Sequence, residues 1–165
     1  MKSIDEIASD VDIFVQLSSK LEMICKHIKI PLEASPLYNF RDALSHYIKR
    51  YEATTDEEKI RQEASIDEHL FRGIKDICVF IIIEMKRRVS NALGKAGDRV
   101  KEHDCRKLLH KYKKMEIEIR KGTEAAINRD LDSFIQNLCD LVKETKDVFD
   151  KYQFPFCANA NYMIV

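Results

Sequence analysis

Glycine and proline are scarce in this chain, four and three residues among 165, and tryptophan is absent. A many-turned β architecture needs those residues at its turns, so their scarcity excludes one and favours long helices. Charge of one sign is lacking as well. The 28 Lys and Arg balance 28 Asp and Glu, so global charge names no partner. No apolar run approaches a membrane span: Ile77–Ile83 is the longest, far short of the ~20 residues a spanning helix requires. The opening Met-Lys-Ser-Ile-Asp-Glu-Ile has neither the basic start nor the apolar centre of a secretory signal. The five cysteines are odd in number and lack paired C-x-x-C spacing. They read as reduced thiols, Cys25 and Cys78 on apolar faces, and a cytoplasmic protein is expected. There is no glycine-rich phosphate loop and no nucleophile elbow. Asp42 and His46 have i, i+4 spacing, and His103, Cys105 and His110 lie close in sequence. Neither group completes a zinc set, so no metal and no other cofactor is expected.

What is present is helical periodicity. With 45% hydrophobic and 34% charged residues, the chain has the composition of a globular domain and the length to bury a core. Ser3 with Glu6 forms a capping-box pattern opening a helix to about Lys29, with Ile4, Ile7, Val11, Phe14, Leu17, Leu21, Ile24 and Ile28 as its stripe. Pro31 ends it. Ser35-Pro36 opens a second helix reaching Ala53-Thr54, whose expected core stripe is Leu37, Phe40, Leu44, Ile48 and Tyr51, with Tyr47 beside it. Thr55 with Glu58 opens a third, and Asp56, Glu57 and Glu58 suit the positive end of its dipole. Its stripe runs from Ile60 and Ala64 through Leu70, Ile74, Ile77, Cys78, Ile81 and Met85 to Val89, and it fades at Leu93-Gly94. A small residue at Gly73 permits close approach of a neighbour. A fourth segment runs from about Asp98 to Lys121. It is followed either by a break at Gly122-Thr123 and a last helix or by one kinked continuation. The expectation is an all-α fold, an up-and-down antiparallel bundle of four or five long helices over residues 1–153, with an irregular tail over 154–165. The apolar ending Tyr162-Met163-Ile164-Val165 suits docking on the body or on a partner.

Three constellations could carry chemistry. The first is Arg41-Asp42-Ala-Leu-Ser-His46 on the second helix. Arg41 and His46 stand roughly 140° apart, both flanking the apolar stripe. A guanidinium binds phosphate bidentately and an imidazole moves a proton near neutral pH. Together they could hold an RNA phosphate and assist attack by the adjacent 2′-hydroxyl. The same residues read equally as the solvated face of an amphipathic helix. An arginine, a polar residue and then a histidine a few positions on, within a helical bundle, resembles the HEPN superfamily, small all-α proteins many of which are ribonucleases of defence and toxin–antitoxin systems. The resemblance implies a homodimer in which Arg41 and His46 of both chains form a composite, metal-independent RNA-cleaving site, with Asp42 orienting the pair.

The second constellation is Glu63, Asp67, Glu68, His69 and Arg72. Glu68 and Arg72 stand one turn apart, as in a surface bridge. Asp67 interrupts the core stripe and needs a cationic partner, for which Arg41 or Arg72 is expected. If the second and third helices are antiparallel, His46 approaches Asp67 or Glu68, in a binding site or a structural polar network. The third is charge segregation. Lys86–Lys121 carries 13 basic and five acidic residues, whereas Glu52–His69 carries seven acidic and two basic. Lys111 and Tyr112 are the expected RNA contacts there, phosphate binding beside base stacking, the alternative being a solvated face. The rival to an RNA-acting protein is a non-catalytic module that binds a protein partner through an exposed apolar face or the tail.

Overall fold

The computed structural model describes residues 2–31, 35–121 and 131–156. Five helices make up this part of the chain: α1 (Ile4–Ile28), α2 (Ser35–Glu52), α3 (Asp56–Leu93), α4 (Arg99–Lys121) and α5 (Leu131–Tyr152). No strand occurs among the described residues. The choice between one kinked helix and two falls on residues 122–130, outside the described residues, as does most of the 154–165 tail.

Local signals set the helix ends. Ser3 and Glu6 cap α1 reciprocally, the Ser3 hydroxyl accepting the Glu6 amide and the Glu6 carboxylate accepting the Ser3 amide. Lys29 closes α1 in the left-handed conformation with φ 53°. The Thr55 hydroxyl accepts the Glu58 amide at the start of α3. Asp98 Oδ1 accepts the amides of Val100 (3.0 Å) and Lys101 (2.9 Å) at the start of α4. Gly97, at φ 68°, turns the chain between α3 and α4, where a side chain would be strained.

α3 is the axis. Its apolar half buries Ile77, Cys78, Ile81, Ile82, Met85 and Val89 at 3% exposure or less. Against it pack Leu21, Ile24 and Ile28 of α1, Cys105, Leu108 and Tyr112 of α4, and Ile135, Leu138 and Val142 of α5. Each helix runs antiparallel to the one before it. Asn39–Asp76 and Arg50–Glu63 order α2 against α3, and Lys111–Glu144 and Asp104–Tyr152 order α4 against α5. α1, α3, α4 and α5 close a four-helix core, and α2 lies against the N-terminal half of α3.

α2 does not bury the stripe that its periodicity suggests. Leu37, Leu44, Ile48 and Tyr51 are 65%, 45%, 58% and 79% exposed. Ile60 and Ala64 of α3 also lie outside. The residues turned inward on α2 are Asn39 and Ala43, with His46 and Arg50 half-buried. They meet Gln62, Ile66, His69, Gly73 and Asp76 of α3. Both rows step by four and three residues, the spacing of a coiled-coil seam. Gly73 sits where three helices meet: a Cβ there would lie 3.3 Å from the Phe14 ring and 3.4 Å from Asn39 Cβ. Phe40 still reaches the core at the flank of α2, its ring stacked on Phe14 at 5.4 Å.

Candidate functional site

The polar seam between α2 and α3 brings together His46 and His69 of the expected site residues, with Arg41 and Asp42 at its rim. Its centre is a pair of imidazoles, His46 of α2 stacked on His69 of α3 with ring centroids 5.2 Å apart and planes 20° from parallel. His46 Nδ1 donates to Gln62 Oε1 at 2.7 Å. In the neutral ring Nε2 then carries the lone pair, the state a proton acceptor requires. His69 Nδ1 is enclosed and has no hydrogen-bond partner among the described residues. Asp42, one turn before His46, is bound by Arg41 through Nε (3.0 Å) and Nη2 (2.7 Å). The Arg41 hydrogen bond holds the Asp42 carboxyl below its usual range, helped by the charges of Arg41, His69 and His46. Arg41 itself is exposed, its guanidinium over the Tyr38 ring at 5.4 Å. It therefore stands at the rim with donors free for an anion, while His46 is anchored in the seam.

The remaining expected site residues go elsewhere. Asp67 takes neither Arg41 nor Arg72 as partner. Lys2, just ahead of α1, binds it and Asp10 together, the latter at 2.8 Å. His46 meets His69 rather than Asp67 or Glu68, because positions 62, 66, 69 and 73 share the α2-facing row and 67 and 68 do not. Glu68 and Arg72 pair on open surface and contribute a few tenths of a kcal/mol at most. Tyr112 cannot stack on a base. It is wholly buried, its hydroxyl hydrogen-bonded with Thr145 Oγ1 at 2.9 Å, and burial pushes its ionisation up. Lys111 is turned toward α5 and bound to Glu144 at 2.6 Å. An i, i+4 stripe with Cys105, Leu108 and Ile119 was the sign that position 112 belongs to the core.

Two buried ion networks went unforeseen. Arg50 Nε donates to Glu63 Oε1 at 2.8 Å, and Glu63 Oε2 accepts the Lys2 amide at 3.0 Å. Burial would raise the Glu63 carboxyl, but the Lys2 amide and Arg50 outweigh it and hold it low. At the far end, Arg88 is gripped by Glu84 at 2.7 Å and donates to the Phe156 carbonyl at 2.7 Å, fastening the segment after α5 to α3. Arg50–Glu63 and Arg88–Phe156 join distant positions that sequence spacing does not mark, whereas Glu84 and Arg88 stand at i, i+4.

Other chemistries find no support. Burial pushes the Cys25 thiol up to about 11, and burial likewise raises Cys78, Cys105 and Cys139, so these thiols stay protonated. No group of three His, Cys, Asp or Glu positioned to hold a metal occurs among the described residues. No described helix is long and apolar enough to cross a membrane. Comparison with protein-family models, curated proteins and solved structures finds no match to this chain.

Proposed function

We propose that the chain is a HEPN-like, metal-independent endoribonuclease that acts as a homodimer, with the Arg41, Asp42, His46 patch as its site. The observation that carries this reading is the division of labour within α2. Its inward row fixes His46 with Nε2 unengaged by Gln62, and Arg41 and Asp42 lie one turn away toward solvent. In the reaction His46 Nε2 takes the proton of a ribose 2′-hydroxyl, whose oxygen attacks the adjacent phosphorus. The bond to the 5′-oxygen breaks, leaving a 2′,3′-cyclic phosphate and, after proton return, a 5′-hydroxyl end. Arg41 exchanges part of its bond to Asp42 for the phosphate and stabilises its charge. The outward face of α2 supplies a surface for the second copy. Leu37, Leu44 and Tyr51 recur every seven residues, so antiparallel pairing about a two-fold axis at Leu44 sets Leu37 against the partner's Tyr51. Single-stranded RNA incubated with the protein in EDTA should be cleaved. Arg41→Ala and His46→Ala should each abolish cleavage without unfolding α2. An inert wild-type protein ends this reading.

A second reading is favoured by one observation. Between α1 and α2 lies a groove of about 270 Å³ lined by Ile7, Val11, Phe40, Leu44, Tyr47 and Leu70, continuous with the exposed α2 face. An amphipathic helix of a protein partner fits such a groove. A protein that stays monomeric at high concentration and leaves RNA intact belongs to this second class.

A further inference from the structure

We propose that the outer face of α4 is a phosphate track, which holds the single-stranded RNA through its backbone. The proposal rests on the RNA reading above, and it assigns substrate holding to a surface separate from the cleavage patch.

Helical geometry places Arg99, His103, Arg106, Lys107, His110 and Lys113 within a sector of about 120° on α4. Lys114 and Lys121 complete the same sector, and all of these residues are exposed. Over roughly 33 Å of helix no carboxylate falls inside it. Glu102 and Glu118 flank it, and Glu116 and Asp104 turn toward neighbouring helices to bind Lys86 and Tyr152. Arg99, Lys107, Lys113 and Lys114 form no ion pair among the described residues, although the chain as a whole has as many acids as bases. Arg106 reaches the flanking Glu102 at 3.9 Å, and the unpaired cations on either side of it leave a basic ridge that complements a polyphosphate strand.

The same face argues against other polyanions. A membrane-surface helix turns an apolar face to the lipid, but the apolar face of α4 is Cys105, Leu108, Tyr112 and Ile119, buried in the bundle. Ile117 is the one apolar side chain in the basic sector. With Tyr112 buried, no Phe, Tyr or Trp side chain lies in the sector, whose rings are the two small imidazoles of His103 and His110. Recognition is therefore by charge, without sequence preference and strongly dependent on salt. A single strand is the form whose 2′-hydroxyl can swing in line with the phosphate at Arg41 and His46.

The test is fluorescence anisotropy with a 5′-labelled oligouridylate in EDTA, using wild type, the triple variant Lys107→Glu, Lys113→Glu, Lys114→Glu, and Arg41→Ala. Engagement of about five phosphates predicts a log–log salt slope of roughly −3.5 for wild type. The triple variant should bind at least about tenfold more weakly while keeping its helical circular dichroism, since all three side chains are exposed. Arg41→Ala should bind like wild type and fail to cleave. Triple-variant binding equal to wild type overturns the track, as does poly-glutamate competing as well as RNA. Wild-type binding without cleavage leaves the track standing and removes the ribonuclease reading alone.

Discussion

The two halves of α3 solve the same packing problem in opposite ways. The C-terminal half, from Ile77 to Val89, is enclosed by apolar side chains of α1, α4 and α5. The N-terminal half, from Gln62 to Asp76, presents a row that is polar at three of its five positions and, with Glu63 beside it, binds α2 through polar partners. An apolar interface tolerates any partner of the right shape. A polar one tolerates only the partner that satisfies it, because an unmatched buried donor or charge costs several kcal/mol. The seam thus fixes the register of α2 and sets aside the outer apolar face for something else.

Breaking each half tests this contrast. Ile81→Ala, in the apolar half, should lower stability by about 3 kcal/mol through lost transfer energy and a residual cavity, read as a shift in the urea midpoint. Arg50→Ala should cost nearly as much, about 3 kcal/mol, because Glu63 is left buried with its guanidinium gone; side-chain exposures of 11% and 7% mean little water can compensate. The same pair gives a pH signature. The Glu63 carboxyl is held low in the folded protein, so its contribution is fully present above the unfolded carboxylate range and is lost as pH falls through the lowered folded value. Urea midpoints followed downward from pH 6 should drop for wild type, and the part of the drop due to Glu63 should shrink in Arg50→Ala. Asn39→Ala, which removes the 3.2 Å bond to Asp76, should cost about 1 kcal/mol.

The smallest effect is the most discriminating. Leu44→Ser with Ile48→Ser should change monomer stability by no more than about 0.5 kcal/mol, since both side chains are about half exposed or more. The same double variant should dissociate the proposed dimer, read by sedimentation velocity. A loss of several kcal/mol in the monomer would mean that α2 docks by its apolar face after all, and the contrast between the two halves would fail.

Much of the scaffold was legible along the chain. Ser3, Thr55 and Asp98 mark helix starts through hydroxyls and carboxylates that meet amides two or three residues on, an interaction contained within one turn. The stripes of α1 and the apolar half of α3 point inward as read, because their periodic faces have no rival. The pairing within the polar seam was not legible, and Gln62, which holds His46, was not singled out. Arg41, Asp42, His46 and His69 were all singled out, yet His46 was set against the wrong neighbours, and Tyr112 and Lys111 were assigned to a surface that they do not occupy.

The sequence by itself determined which segments are helical, where they start, and that Ile77–Ile83 forms the centre of the core, since capping and periodicity act within one element. The tertiary structure alone decided that α2 turns Asn39, Ala43, His46 and Arg50 inward and leaves Leu37, Leu44, Ile48 and Tyr51 outside. A helix carrying both an apolar and a polar row can be buried on either. The choice falls to the surface it meets, and here Gln62, Glu63, His69 and Asp76 of α3 accept only the polar one.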